Sequence, residues 1–319
     1  MDKHLLEYIE IKDFKCFKDF HAKGFKRVNL IGGKNNVGKT AFMEACYINV
    51  HSMDLKLLVF SLSVIKAMRE NLNILSGDNI DIKKYIELSN NIFTNSNKNC
   101  ASFTIEDIDG IKQYILKFNE NDIKVNINDF SYEVESLENI KFIDNFGLSN
   151  REIIKFYSAI QKKKKESFLN DILHEFDDRI ESFKIIDSKP QCEINGNYHE
   201  ITEFGDGVRH LVSIVTALFT CEKGYLFIDE IDNGIHYTQL DEIWKIILNL
   251  SDKLNVQVFA TTHSKECIES YARVSKKLED EDISFIELGK NKENKLDSIV
   301  MNSERFLRYI KMGNEVRGW

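Results

Sequence analysis

The alternation of apolar and polar positions divides the chain into three stretches. In the first, "YIEIKDF" (8–14) and "RVNLIGG" (27–33) alternate as half-buried strands do, and the second ends in glycines. "GKTAFMEACYINVHSM" then shows helical spacing, so residues 31–42 fall at a strand–loop–helix junction. In the middle stretch, apolar residues in "LKLLVFSLSVIKAMRENL" predict helix between about 51 and 98. β-Branched alternation with a turn at Asp109-Gly110 predicts antiparallel strands over 100–130. Helix is expected again over 151–182, and "SFKIIDSKPQCEINGNYHEI" predicts a small hairpin around Asn195-Gly196. After residue 200 the periods alternate regularly. "GVRHLVSIVTALFTC", "YTQLDEIWKIILNLSDKL", "SKECIESYARVSKKL" and "SERFLRYIKMG" read as helices, and "GYLFIDE", "VQVFATTHS" and "DISFIEL" as strands. This pattern predicts an α/β fold with a mostly parallel core sheet, built from residues 1–50 and 200–319 and split by an inserted α+β lobe over 51–199.

Composition narrows the class. The 319 residues, 43% of them hydrophobic, suffice for a sizeable core in one large or two small domains. Charged residues make up 29%, and no apolar run approaches the ~18 residues of a membrane span. The N-terminal segment carries charges throughout, unlike a secretory signal. The six cysteines are scattered without a CxxC pair, which argues against a zinc or disulfide framework and for a cytoplasmic location. A net charge of −8 disfavours general coating of nucleic acid but leaves room for a local basic groove.

Four segments carry candidate chemistry. "GGKNNVGKT" fits G-x-x-x-x-G-K-[ST] through Gly33, Gly38, Lys39 and Thr40, with Asn35, Asn36 and Ala41 completing the phosphate-binding segment. Glycines let backbone N–H groups turn toward phosphate oxygens, and the following helix points its positive end at them. Lys39 would neutralise the β/γ-phosphates of ATP, and Thr40 would ligate Mg²⁺. In "YLFIDEID" a buried strand ends at Asp229, placed to hold the metal, and Glu230, placed to orient or deprotonate the attacking water. In "FATTHS", His263 follows the next strand and could reach the γ-phosphate or that water. In "FGDGVRHL", Gly205 and Gly207 open a helix whose N-terminus is a second anion site. The run Lys162–Lys165 reads as a solvated helix face, with nucleic-acid contact as the sharper alternative.

In this order the four segments resemble the ABC-type ATPase superfamily. They are most similar to its soluble branch of OLD-type and AAA15/AAA21-like ATPases, related to RecF and SMC heads. The resemblance spans roughly residues 5–50 and 200–317. It implies a P-loop NTPase head that closes as an ATP-dependent dimer or larger assembly. "FGDGVRHL" would take the signature place, with Gly205 where the family has a serine, so backbone N–H groups and Arg209 would make the contact across the dimer. Asn233, Gly234, Ile235 and His236 would form the D-loop at the interface. Gln161 is a poor match for the family's Q-loop glutamine. The 56 residues after His263 (319 − 263) are too few for the Toprim nuclease of OLD-type relatives. By analogy with two-gene anti-phage systems such as PARIS, a separate Toprim-like nuclease is then the expected effector. A RecF-like repair ATPase acting on DNA is the alternative; a transporter subunit fits poorly, and no membrane partner is expected.

Overall fold

The computed structural model describes residues 5–52, 57–58, 61–62, 64–65, 100–107, 110–119, 122–125, 139–145, 147–291 and 293–313. The chain divides into two compact units, one of residues 1–7, 23–40 and 138–319 and the other of residues 8–22 and 41–137.

The first unit is organised by a sheet of six strands among the described residues. They are β3 (Val28–Gly33), β7 (Ile140–Ile143), β11 (Tyr225–Ile228), β12 (Gln257–Thr261), β13 (Ile283–Lys290) and β14 (Leu296–Asn302), in the order β14-β13-β3-β12-β11-β7. The five strands from β13 to β7 run parallel, and β14 returns antiparallel along the edge. Every residue of β3 and β12 is buried, as in parallel sheets covered on both faces. Asn29 tolerates this burial because its amide is fully engaged with Lys26, Val258 and Ser284. The register sets Ile31 beside Thr261, Ile228 beside Ala260 and Ile228 beside Ile143. The carboxyl ends of β3, β12, β11 and β7 therefore share one sheet edge, where open α/β sheets bind their ligands.

Helices follow these strands. α1 (Lys39–Val50) leaves β3 through the glycine loop. α2 (Asn150–Lys162) starts on a capping box, in which Ser149 and Glu152 satisfy each other's backbone donors. It is followed by α3 (Glu166–Phe176), α4 (Asp206–Thr220), α5 (Leu240–Leu254), α6 (Lys265–Lys277) and α7 (Ser303–Lys311). The α5–α6 packing is anchored by Trp244, wholly buried, whose Nε1 donates to Cys267 O at 3.2 Å and whose ring lies 4.5 Å from that of Tyr271. Tyr271 in turn donates its hydroxyl to Val28 O at 3.0 Å, tying α6 to β3. Strands β8 (Ser182–Ile186), β9 (Lys189–Ile194) and β10 (Asn197–Glu200) form a separate antiparallel sheet.

The second unit contains the paired strands β1 (Tyr8–Phe14) and β2 (Phe17–Lys23), whose connection places Lys15 at φ 50°. Phe17, Phe20 and Phe42 pack edge to face within it. Buried Glu44 is paired with Lys15. β4 (Cys100–Asp107), β5 (Gly110–Asn119) and β6 (Asp122–Val125) form an antiparallel sheet in which Asp107 faces Gly110.

Several expectations differ from this arrangement. The single helix expected over 151–182 is two helices, broken where Lys164 takes φ 53°. Lys162 thus ends α2, and Lys163–Lys165 form the turn before α3 rather than a helix face. Within it, Lys163 is held by Phe219 O and Glu222. β7 belongs to the core sheet, so the boundary at 199 falls inside the first unit. Four residues are too few for alternation to reveal a buried strand. The hairpin at Asn195-Gly196 is present, with both residues at positive φ, and β8 joins it through a second such turn at Asp187-Ser188. Most of the expected helix over 51–98, and Asp109 of the expected turn, lie outside the described residues.

Candidate nucleotide-binding and hydrolysis site

The glycine loop runs from the end of β3 into α1. Gly33, Asn36 and Gly38 take φ values of 143°, 61° and 87°, positive-φ conformations of the kind from which tight anion-binding turns are built. At Gly33 the requirement is also steric, because a Cβ would stand 2.5 Å from Leu288 O. Lys34, Asn35 and Asn36 are exposed, and Ala41 is buried in the first turn of α1. Lys39 folds back over its own loop and donates to Gly33 O and Lys34 O, each at 3.0 Å. Burial lowers its pKa below the usual lysine value, opposed by the charges of Glu230, Asp229 and Asp232.

Those carboxylates arrive from β11. Thr40 Oγ1 donates to Asp229 Oδ1 at 3.1 Å, so two residues 189 positions apart meet at the sheet edge. Asp229 N donates to Ile143 O at 2.8 Å, which continues the β11–β7 pairing one residue beyond the strand. Glu230 then takes φ 50° and leaves the sheet. It is half-buried, and its side chain makes no hydrogen bond to the described residues. Thr40 Oγ1 and the Asp229 carboxylate suit Mg²⁺, a hard cation that binds through oxygen. Among the described residues no cluster of three or more His, Cys, Asp or Glu side chains forms an all-protein metal cage.

His263 is exposed just past β12, between two anchored neighbours. Thr262 Oγ1 donates to Asp232 Oδ1 at 2.6 Å and accepts from Ser264 N at 3.0 Å, and Ser264 caps α6 through Cys267 N. The sheet edge thus brings Gly33, Lys39, Thr40, Asp229 and Glu230 together, and His263 follows the strand between β3 and β11 at the same edge.

Gly205 and Gly207 lie at the start of α4. Gly205 takes φ 80° with open space around it. Gly207 allows close approach within the chain, since a Cβ there would stand 3.2 Å from Gly234 O. Arg209, expected to reach across a dimer, is engaged at home by Leu148 O at 2.6 Å and Asn150 Oδ1 at 3.0 Å. A polar cavity of about 110 Å³ lies here, lined by Asn145, Asp206, Arg209, His210 and Asn233. Burial pushes the His210 pKa down to about 4. Beyond it, a cleft of about 360 Å³ is lined by Asp232, Ile235, Tyr237, Leu240, Ser264 and Glu266. Sequence reasoning missed Thr261 and Thr262, which organise this edge. Their signal was two consecutive hydroxyls in an otherwise apolar strand, directly before His263.

Residues 135–268 match the AAA ATPase domain. The matched span holds Asp229, Glu230, His263 and α4, and the glycine loop precedes it. A curated Helicobacter pylori protein named ATP/GTP phosphatase is 25% identical, over 83% of this chain and 87% of its own. Two solved structures share the fold. The SMC head bound to the C-terminal winged-helix domain of ScpA superposes with a TM-score of 0.55 at 11% identity, covering 95% of this chain and 99% of its own. The SMC head with an extended coiled coil, bound to the C-terminal domain of ScpA derived from Pyrococcus furiosus, gives 0.52 at 10%, covering 97% and 99%. The fold is that of a P-loop NTPase of the SMC-head kind. The domain match and the ATP/GTP phosphatase relative support an ATPase. No helix among the described residues is long and apolar enough to cross a membrane.

Proposed function

We propose that the chain binds ATP with Mg²⁺ at Gly33–Thr40 and Asp229, and hydrolyses it. The observation that carries this reading is the Thr40–Asp229 hydrogen bond, which joins the glycine loop to the acidic end of β11. The turned N–H groups of the loop and Lys39 hold the phosphates. Thr40 and Asp229 hold the metal, which neutralises phosphate charge when bound. Glu230 orients the attacking water and takes its proton, and His263 donates to the γ-phosphate or the water. Charge placement and alignment of reactants supply most of the rate.

Two copies close head to tail, with the Gly205–Gly207 turn of each over the nucleotide of the other and Asn233–His236 at the interface. Since Arg209 is engaged with Leu148 and Asn150, the turn's contact runs through backbone N–H groups. The closed state serves as sensor and scaffold for a separate effector, a Toprim-like nuclease, in bacterial anti-phage defence. Support for a partner comes from the SMC heads, which are bound to ScpA domains in their structures. The alternative reading is a RecF-like ATPase that grips DNA.

The deciding experiment is Glu230→Gln, assayed for phosphate release and for solution mass with and without Mg²⁺-ATP. Loss of turnover with an ATP-dependent gain in mass supports the reading. Normal turnover would sink the assignment of Glu230.

A further inference from the structure

The acidic end of β11 is held by a hydroxyl from the neighbouring strand. Thr261 is the last residue of β12 and is 1% exposed. Its Oγ1 donates to Asp229 Oδ1 at 2.6 Å and accepts from Glu230 N at 2.9 Å, while its carbonyl accepts from Ile231 N at 3.0 Å. One side chain and one carbonyl therefore engage three consecutive residues.

The reason lies in the backbone. The parallel ladder between β11 and β12 ends at Ile228 opposite Ala260. Glu230 then turns into the left-handed region, at φ 50°, and its N–H leaves the ladder. A donor turned away from solvent is costly to leave without an acceptor, and a residue other than glycine resists the left-handed region. Thr261 Oγ1 accepts that N–H. The same oxygen, as donor, fixes which carboxylate oxygen of Asp229 faces Thr40, since Oδ1 receives both hydroxyls. Valine has the same shape and would bury equally well but could do neither. Thr262 provides the internal comparison, because it is as buried as Thr261 and its hydroxyl engages Asp232 and Ser264 instead.

We propose that Thr261 is a positioning residue for hydrolysis, its hydroxyl setting the direction of the Glu230 carboxylate and the rotamer of Asp229. The proposal rests on the ATPase reading above. A displacement of the base by about 1 Å is enough to lower turnover about 100-fold, whereas the Thr261 hydroxyl makes its hydrogen bonds to Asp229 and Glu230 and none to the glycine loop or Lys39 among the described residues.

The test compares wild type, Thr261→Val, Thr261→Ser, Thr262→Val and Glu230→Gln, measuring kcat and KM for ATP, binding of a fluorescent ATP analogue, and Tm. The expected result is a fall in kcat of about 100-fold for Thr261→Val with analogue binding and KM within about threefold. Thr261→Ser recovers kcat to within a few-fold of wild type, and Thr262→Val loses far less than Thr261→Val. Normal kcat in Thr261→Val beside a dead Glu230→Gln overturns the positioning role alone. Parallel loss of binding and turnover in Thr261→Val, or no recovery with serine, overturns it as well, because a folding role moves both together. Absence of turnover in wild type, or full turnover in Glu230→Gln, overturns the ATPase reading and this proposal with it.

Discussion

Replacing Glu230 by glycine should separate function from stability. Glu230 sits at φ 50°, where a residue with a Cβ costs about 1–2 kcal/mol more than glycine. Glycine raises the entropy of the unfolded chain and takes back about 0.5–1 kcal/mol. The Glu230 side chain makes no hydrogen bond to the described residues, and its backbone N–H keeps the Thr261 acceptor after substitution. The balance predicts a variant between equal to wild type and about 1.5 kcal/mol more stable. For a chain of this size each kcal/mol gained is a Tm rise of about 2–4 °C. Turnover should meanwhile fall by about 10²–10⁴, the usual contribution of a general base. Differential scanning calorimetry and a phosphate-release assay on the same preparation decide the matter. A Tm lowered by more than about 3 °C would refute the reasoning, because it would mean that the carboxylate holds the fold together. Retained turnover would refute the catalytic half.

Gly33→Ala should abolish nucleotide binding and lower Tm, since a Cβ would meet Leu288 O at 2.5 Å in a backbone conformation that alanine resists; unchanged ATP-analogue affinity would contradict the assigned loop. His210 predicts an acid-side instability. Its pKa is about 4 when folded against 6.5 unfolded, so the unfolded chain binds the extra proton between these values and stability falls as pH drops from 6.5 toward 4. The shift of about 2.5 units corresponds to about 3 kcal/mol, measurable as a steeper acid branch in urea unfolding that His210→Gln flattens.

Much of this molecule was legible along the chain because its signals are local. β1 begins and ends at "YIEIKDF", and β3 ends on the two glycines of the loop. The glycine and lysine positions of the loop are fixed by backbone sterics and charge, requirements that hold in any context. Asp229 and His263 are marked along the chain by the buried strands that they follow, and the helices after residue 200 carry enough turns for their period to show.

What the chain alone could not convey depends on contacts distant in sequence. β7 is four residues long, and only its pairing with β11 makes it a core strand. The break between α2 and α3 lies within four lysines, residues of good helix propensity, and only the fold shows Lys164 at φ 53° with Lys163 bonded to Phe219 O and Glu222. Arg209 looked free to reach outward until Leu148 and Asn150 were seen to hold it. The weight of Thr261 is likewise invisible in sequence, where it is one β-branched residue among others. Sequence supplied the groups proposed to bind and cleave a phosphate, since that choice is a matter of residue chemistry and short-range backbone geometry. Tertiary structure decided how those groups are aimed, because the hydroxyl that orients Asp229 and Glu230 comes from a neighbouring strand more than thirty residues away, at a register only the folded sheet defines.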